Sequence, residues 1–314
     1  MLGGSKMESK TVLKVQDLCK NYSGKEILKN ISFEVNEGDV FGFLGPNGSG
    51  KTTTIRSVLG LIKKNSGQVI INNYDMDKDF IKGIKEVGAV VETPRFHEYL
   101  SGYDNLKLIA NLHKELSKSD IEKVLKDVGM WKKSKAKVKT YSLGMKQRLG
   151  IAMALLNNPR LVILDEPTNG LDPQGIKEIR DLIIDLAKNK NITFFISTHL
   201  LAEVEQICNK VVIIENGKTL IEGNMDNLLN QDRDKVELIC MNTGLAEQII
   251  EKTEYARVES VNNESMMISI EKNRQEELNR QLYDRGICIK YVIPRNQSLE
   301  DYFISVTKGG EQHV

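Results

Sequence analysis

The chain is poor in several residue types. Of its 314 residues, six are proline, one is tryptophan and four are cysteine. Scarce proline beside 40% hydrophobic and 28% charged residues excludes a disordered chain and indicates packed domains nearly throughout. Cys19, Cys208, Cys240 and Cys288 lie far apart, with no CxxC pair and no histidine at zinc-ligand spacing. They read as buried free thiols in a reducing cytosol, which excludes a disulfide frame. Apolar runs stay short of the about 18 residues that a membrane-spanning helix needs, and the N-terminus lacks a signal-peptide core. Neither a span nor secretion is expected. Charge of one sign is also missing, because 44 basic and 43 acidic residues leave a net charge of +1. Phosphate-backbone binding favours a basic excess, so nucleic acid is not an expected partner.

By length, the chain should form about two domains. Residues 1–6, ahead of the second methionine Met7, read as an added remnant or a native leader and are set aside from the fold. Residues 11–223 alternate short apolar runs with helix-period segments, the pattern of an α/β domain with a largely parallel sheet. Val40-Phe41-Gly42-Phe43-Leu44 is a buried strand that runs into a glycine-rich turn. Ile55, Val58, Leu59 and Ile62 then recur at helical spacing. Strands disappear over residues 100–157, a helical subdomain in which Ser119 and Glu122 are expected to form a capping box. Ile121, Val124, Leu125 and Val128 supply one apolar stripe there. Continuous apolar runs return at Leu161-Val162-Ile163-Leu164, Ile192-Thr193-Phe194-Phe195-Ile196 and Val211-Val212-Ile213-Ile214, as a sheet buried on both faces requires. Residues 224–314 read as β-α-β-β-α-β, a small ferredoxin-like α+β domain. Ser298 then caps a short helix whose Leu299, Tyr302, Phe303 and Val306 share an apolar face.

Gly45-Pro46-Asn47-Gly48-Ser49-Gly50-Lys51-Thr52 matches GxxxxGK[ST] in the strand-to-helix setting that this phosphate-binding loop needs. Its backbone N–H groups, continuing through Thr53, turn toward phosphate oxygens, and the helix N-terminus adds partial positive charge. Lys51 supplies a cation for the β- and γ-phosphates. Thr52 offers a hydroxyl to Mg²⁺, which accepts only one or two protein oxygens. The strand Leu161–Leu164 ends in Asp165 and Glu166, carboxylates delivered to the edge where ligands of open α/β sheets collect. Asp165 fits the Mg²⁺ shell, and Glu166 fits a base for the attacking water.

Tyr141-Ser142-Leu143-Gly144-Met145-Lys146-Gln147-Arg148 resembles the signature sequence of ATP-binding-cassette (ABC) ATPases. In the family's order it precedes Asp165-Glu166-Pro167-Thr168-Asn169-Gly170-Leu171-Asp172-Pro173 and Ser197-Thr198-His199. The resemblance covers residues 12–223 and implies a P-loop ABC nucleotide-binding domain that hydrolyses ATP with Mg²⁺. It implies that Ser142 and Gly144 contact the γ-phosphate held by a second copy, so that ATP is sandwiched in a homodimer. Asp172 would link the two sites, His199 would sense the γ-phosphate, and Tyr22 would stack on adenine. Ordinary surface packing is the competing reading of Tyr22. Two departures stand out. Leu143 and Met145 replace the commonest glycine and glutamine of the signature, and Glu92 occupies the position of a glutamine that bridges Mg²⁺ and the membrane partner. A carboxylate there binds Mg²⁺ more strongly but adds negative charge beside the phosphates.

Glu92-Thr93-Pro94, residues 96–103 and Ser298-Leu299-Glu300-Asp301-Tyr302-Phe303 look most like the ATPase subunits of bacitracin and lantibiotic immunity exporters. That resemblance implies a peripheral subunit on the cytoplasmic face of the membrane, powering a separate permease. ABC exporters of other cargo share these features. ABC ATPases that act on nucleic acid or ribosomes usually carry paired cassettes or coiled-coil insertions, and neither is present. The run Trp131-Lys132-Lys133-Ser134-Lys135-Ala136-Lys137-Val138-Lys139 reads as a solvated face or as an attraction to anionic headgroups. Residues 224–314 show no catalytic constellation and read as a dimer-stabilising or regulatory unit.

Overall fold

The computed structural model describes residues 10–113, 115–229, 233–295 and 298–303. Residues 1–6, and Val306 of the expected last helix, lie outside the described residues. The chain divides into two compact units, residues 1–224 and 225–314.

The first unit opens with an antiparallel pair, β1 (Thr11–Tyr22) and β2 (Lys25–Asn36), followed by β3 (Val40–Leu44) and α1 (Lys51–Val58). Next come β4 (Ser66–Ile71), β5 (Tyr74–Asp75), α2 (Phe80–Lys85) and β6 (Val87–Val90). Helices α3 (Gly102–Ala110), α4 (Lys118–Asp127) and α5 (Leu143–Leu155) form the helical subdomain. The chain returns through β7 (Leu161–Asp165), α6 (Pro173–Lys190), β8 (Thr193–Thr198), α7 (Leu201–Ile207), β9 (Lys210–Glu215) and β10 (Lys218–Asn224).

Two sheets result. The smaller has order β2-β1-β4-β5 and is antiparallel; the larger has order β10-β9-β3-β8-β7-β6, parallel except at its β10 edge. Every residue of β3, β7 and β8 is buried, the expected outcome for apolar runs covered on both faces. Phe33 of β2 packs against Phe41 and Phe43 of β3 and Phe195 of β8, with ring centroids 5.2 to 5.6 Å apart. This aromatic cluster joins the two sheets. The parallel register sets Leu44 beside Thr198 and Asp165 beside Ser197, so the loops leaving β3, β7 and β8 gather at one edge.

In the helical subdomain the expected cap is corrected. Helix α4 is capped by Ser117, whose backbone N–H donates to Asp120 Oδ2 at 2.8 Å, whereas Glu122 lies inside the helix and pairs with Lys126 at 2.7 Å. The helix begins at Lys118, before Ser119, so the carboxylate at its third position belongs to Asp120. The stripe of Ile121, Val124, Leu125 and Val128 is buried as its spacing requires. Along the basic run Ser134 and Val138 are buried while Lys132, Lys133, Lys135, Lys137 and Lys139 are exposed. Backbone bonds from Val138 to Leu100 (2.9 Å) and from Tyr103 to Ser134 (2.8 Å) lace the run to residues 98–103.

The expectation of four buried thiols holds for Cys208 and Cys240 and fails for the other two. Burial pushes the Cys208 thiol well above its usual range. Cys19 is half-buried where the pairing of β1 with β4 is irregular, and its sulfur bonds Asn30; Cys288, in the loop before the last strand, is exposed.

The second unit contains α8 (Met225–Leu229), β11 (Arg233–Cys240), α9 (Thr243–Ile250), β12 (Ala256–Val261), β13 (Ser265–Glu271), α10 (Gln275–Asp284) and β14 (Ile289–Pro294). Its antiparallel sheet has order β12-β13-β11-β14, the ferredoxin-like arrangement. Alternating Val236, Leu238 and Cys240 of β11 meet Ile249 and Ile250 of α9 and Leu278 and Leu282 of α10 in its core. Ser298 Oγ accepts from Asp301 N at 3.0 Å and starts the closing helical turn, in which Leu299 is fully buried.

The aromatic cluster should dominate the stability of the first unit. Replacing Phe195 by alanine is expected to cost about 3–5 kcal/mol, read by urea unfolding through the fluorescence of Trp131, the only tryptophan. A loss under about 1 kcal/mol would show that the cluster does not join the sheets.

Candidate nucleotide site

The loop between β3 and α1 is built by its glycines. Gly50 adopts φ 112°, and a Cβ there would lie 2.6 Å from Leu28; a Cβ on Gly45 would lie 2.3 Å from the Ile214 carbonyl oxygen. Only glycine lets the chain turn this tightly against β2 and β9. Helix α1 follows, with its first-turn N–H groups at the loop. Ser49 Oγ is buried inside the loop without a partner, an orphaned polar atom that suits a bound oxyanion.

Lys51 is 6% exposed. Its ammonium donates to the carbonyls of Gly45 (2.7 Å) and Pro46 (3.3 Å) and stands 3.4 Å from Glu166 Oε1. A buried cation thus rests on its own loop, with a carboxylate for balance. Thr52 Oγ1 donates to Asp165 Oδ2 at 3.1 Å, and the hydroxyl of Ser197 donates to the other oxygen of this buried carboxylate. No group of three or more histidine, cysteine, aspartate or glutamate side chains among the described residues forms a metal cage. The pair of hard oxygens on Thr52 and Asp165 fits Mg²⁺, which completes its shell with water and phosphate.

Glu166 sits at φ 50°, held by N–H bonds to Ser197 O (3.0 Å) and Ser197 Oγ (3.2 Å). That turn aims its carboxylate back over the sheet edge, where Oε2 lies 2.8 Å from His199 Nδ1. An ionised carboxylate only accepts, so in this contact Nδ1 carries the proton. A cavity of about 700 Å³ opens above these groups. Tyr22, Asn47, Gly48, Gly50, Lys51, Thr52, Thr53, Glu166 and His199 line it, together with Lys25, Ile27 and Asn169. Tyr22 is 44% exposed at the rim, with Lys20 Nζ 4.6 Å from its ring centroid.

Four expected site residues stand elsewhere. Ser142 caps α5, accepting from Met145 N at 3.3 Å, and Gly144 sits on the first turn of that helix, bordering Leu171. Asp172 caps α6, accepting from Gly175 N at 3.0 Å. None of the three lines the cavity of its own chain. Glu92 follows β6 at φ 63°, and this turn sends its 62% exposed carboxylate to Arg56 on α1.

A family model for ABC transporters matches residues 28–169. Along 301 residues, 96% of this chain and 97% of the relative, the sequence is 42% identical to the uncharacterized ABC transporter ATP-binding protein YdbJ of Bacillus subtilis. This chain belongs to the ABC transporter ATP-binding family. The bacitracin transport ATP-binding protein BcrA of Bacillus licheniformis is 41% identical over 301 residues, 96% of this ABC subunit and 98% of BcrA. Among solved structures, cbiO1 of Clostridium perfringens, part of the ABC transporter complex cbiONQ, is 29% identical with a TM-score of 0.65. The match covers 77% of this ABC subunit and 96% of cbiO1. The subunit is accordingly an ATP-binding, ATP-hydrolysing component of an ABC transporter.

Sequence reasoning missed Lys25, Ile27 and Asn169. Asn169 was findable, because it lies inside the motif that runs from Asp165 to Pro173. Lys25 and Ile27 carry no local signal; the antiparallel return of β2 beside Tyr22 brings them to the rim. Removing the Lys51 ammonium should weaken ATP binding about 10- to 100-fold, the value of one charge-assisted contact. A titration of Lys51→Ala with a fluorescent ATP analogue checks this, and unchanged affinity would refute the phosphate role.

Proposed function

We propose that this subunit is the MgATP-driven motor of a peptide-antibiotic exporter, closing as a homodimer at the cytoplasmic face and moving a separate membrane permease. The observation that carries the cargo class is the likeness to a bacitracin transport ATP-binding protein through 98% of that relative's length, which includes the ferredoxin-like unit. A likeness to the lantibiotic transport ATP-binding protein SrtF of Streptococcus pyogenes, 41% identical over 70% of this chain, points to the same class. Similar identity to a relative of unassigned cargo supports an exporter of another substrate as the second reading. Among the described residues no helix is long and apolar enough to cross a membrane, in keeping with a permease on another chain.

The homodimer reading rests on Ser142, Gly144 and Asp172. All three belong to the resemblance, and all three stand apart from the cavity of their own chain. In a second copy, Ser142 and the α5 N-terminus would complete the γ-phosphate side of the site. Within one chain the phosphate loop and Lys51 bind and orient the nucleotide. Mg²⁺ at Thr52 and Asp165 would neutralise charge on the β- and γ-phosphate oxygens. Glu166 takes the proton of the attacking water as its oxygen bonds the γ-phosphorus and the bond to the β–γ bridging oxygen breaks. His199 holds Glu166 in place and is set to meet the γ-phosphate. The second unit is proposed to stabilise the dimer or to regulate it.

Two measurements bear on this reading. Glu166→Gln should lower ATP turnover at least about 100-fold while leaving nucleotide bound. In a host carrying the subunit with its genomic permease, protection against bacitracin or a lantibiotic should be present with wild type and absent with the variant. Protection against neither peptide class would withdraw the cargo assignment and leave the ATPase.

A further inference from the structure

Glu203, on the first turn of α7, lies outside the cavity-lining residues. Its Oε2 accepts a 2.7 Å hydrogen bond from Thr168 Oγ1, and Thr168 is 6% exposed. Its other oxygen, Oε1, is buried and has no partner. Leaving a carboxylate oxygen dry and unpaired is costly, so this arrangement needs a reason beyond solvation of a surface helix. Burial pushes the Glu203 carboxyl above its usual range, the Thr168 hydroxyl pulls it down, and Glu166 nearby pushes it further up; His199 and Arg180 act in the lowering direction.

The place of the bond in the fold supplies the reason. β7 and β8 are parallel neighbours, and each continues into a segment of the site. The segment after β7 carries Glu166, then Thr168, then Asp172; the segment after β8 carries His199 and then α7 with Glu203. A first tie between these segments is the contact of Glu166 with His199, at 2.8 Å. The bond between Thr168 and Glu203 is a second, two residues beyond Glu166 and four beyond His199. One contact between two loops is a pivot, whereas two spaced contacts fix their relative orientation. Thr168 also closes the turn that follows it, since its carbonyl accepts from Leu171 N at 3.2 Å, directly ahead of Asp172.

We infer that Glu203 is a positioning residue that clamps the Glu166 segment to the His199 segment through Thr168. The clamp makes the base, the histidine and the turn leading to Asp172 move as one body. Thr168 donates to a carboxyl oxygen of Glu203, so a glutamine in place of Glu203 keeps an acceptor for Thr168 while an alanine does not. The inference rests on the hydrolytic role given to Glu166, and the test separates the two. Failure of that role would appear as full turnover in Glu166→Gln, whatever Thr168 and Glu203 do.

The experiment measures kcat for ATP and, separately, nucleotide Kd in the full chain for Thr168→Val, Glu203→Ala, Glu203→Gln and the double variant Thr168→Val with Glu203→Ala. Misplacing a catalytic group by a fraction of an ångström costs roughly 10-fold or more in rate, so Thr168→Val and Glu203→Ala should each lose about that much kcat. Kd should stay within about twofold because Lys51 and its loop are untouched. The double variant should be no slower than the slower single, and Glu203→Gln should recover most of the loss. Wild-type kcat in Thr168→Val would overturn the inference, as would losses that multiply in the double variant. Should Glu203→Ala fail to fold, Thr168→Val, which keeps the shape of the side chain, decides the question by itself.

Discussion

The nucleotide site depends on one constraint, the parallel register that sets β3, β8 and β7 side by side with their C-terminal ends level. Leu44 beside Thr198 and Asp165 beside Ser197 place the phosphate loop, the two acids and the histidine within hydrogen-bond reach of one another. A strand slip by one residue would turn each of these side chains to the opposite face. The four-phenylalanine cluster resists that slip, because Phe41, Phe43 and Phe195 lie on the strands whose register matters. Core packing and catalytic geometry are therefore the same problem in this unit.

On that edge the charges are arranged as a closed set. Lys51 is shared among two loop carbonyls and Glu166, Glu166 is shared between Lys51 and His199, and Asp165 accepts one hydroxyl on each oxygen, from Thr52 and from Ser197. Each bond is one that a phosphate oxygen, a metal ion or a water can replace, so the groups are held near their working positions without nucleotide. Preorganisation of this kind lowers the reorganisation needed at the moment of reaction. The residues proposed to serve a second copy differ in kind. Ser142 and Asp172 spend their side chains on capping α5 and α6, which fixes the N-termini of those helices as rigid features of the surface.

Much of this was legible in the sequence, for identifiable reasons. Runs such as Leu161–Leu164 leave no choice but a strand buried on both faces, and the phosphate loop announces a strand before it and a helix after it. The β-α-β-β-α-β order of the second unit was readable because its two central strands alternate cleanly, as in Val236, Leu238 and Cys240. Legibility failed where a short side chain competes with a neighbour. Ser117 with Asp120 and Ser119 with Glu122 both match a cap at the sequence level, and only the point where the apolar stripe meets the core chooses between them. It failed again at Glu92, whose left-handed turn and pairing with Arg56 are tertiary facts. The bond of Thr168 with Glu203 joins residues from two strand ends, and no local pattern announces it.

In the proposed mechanism one chain holds half of a working site and a second copy of the same chain supplies the rest. The direct measurement is the solution mass of the Glu166→Gln chain by light scattering, with and without MgATP, beside the same chain also carrying Ser142→Arg. Twice the monomer mass is expected only with MgATP, and monomers at all times for the Ser142 variant although it still binds nucleotide. A chain that stays monomeric with MgATP, or a Ser142 variant that dimerises as well as its parent, would contradict it.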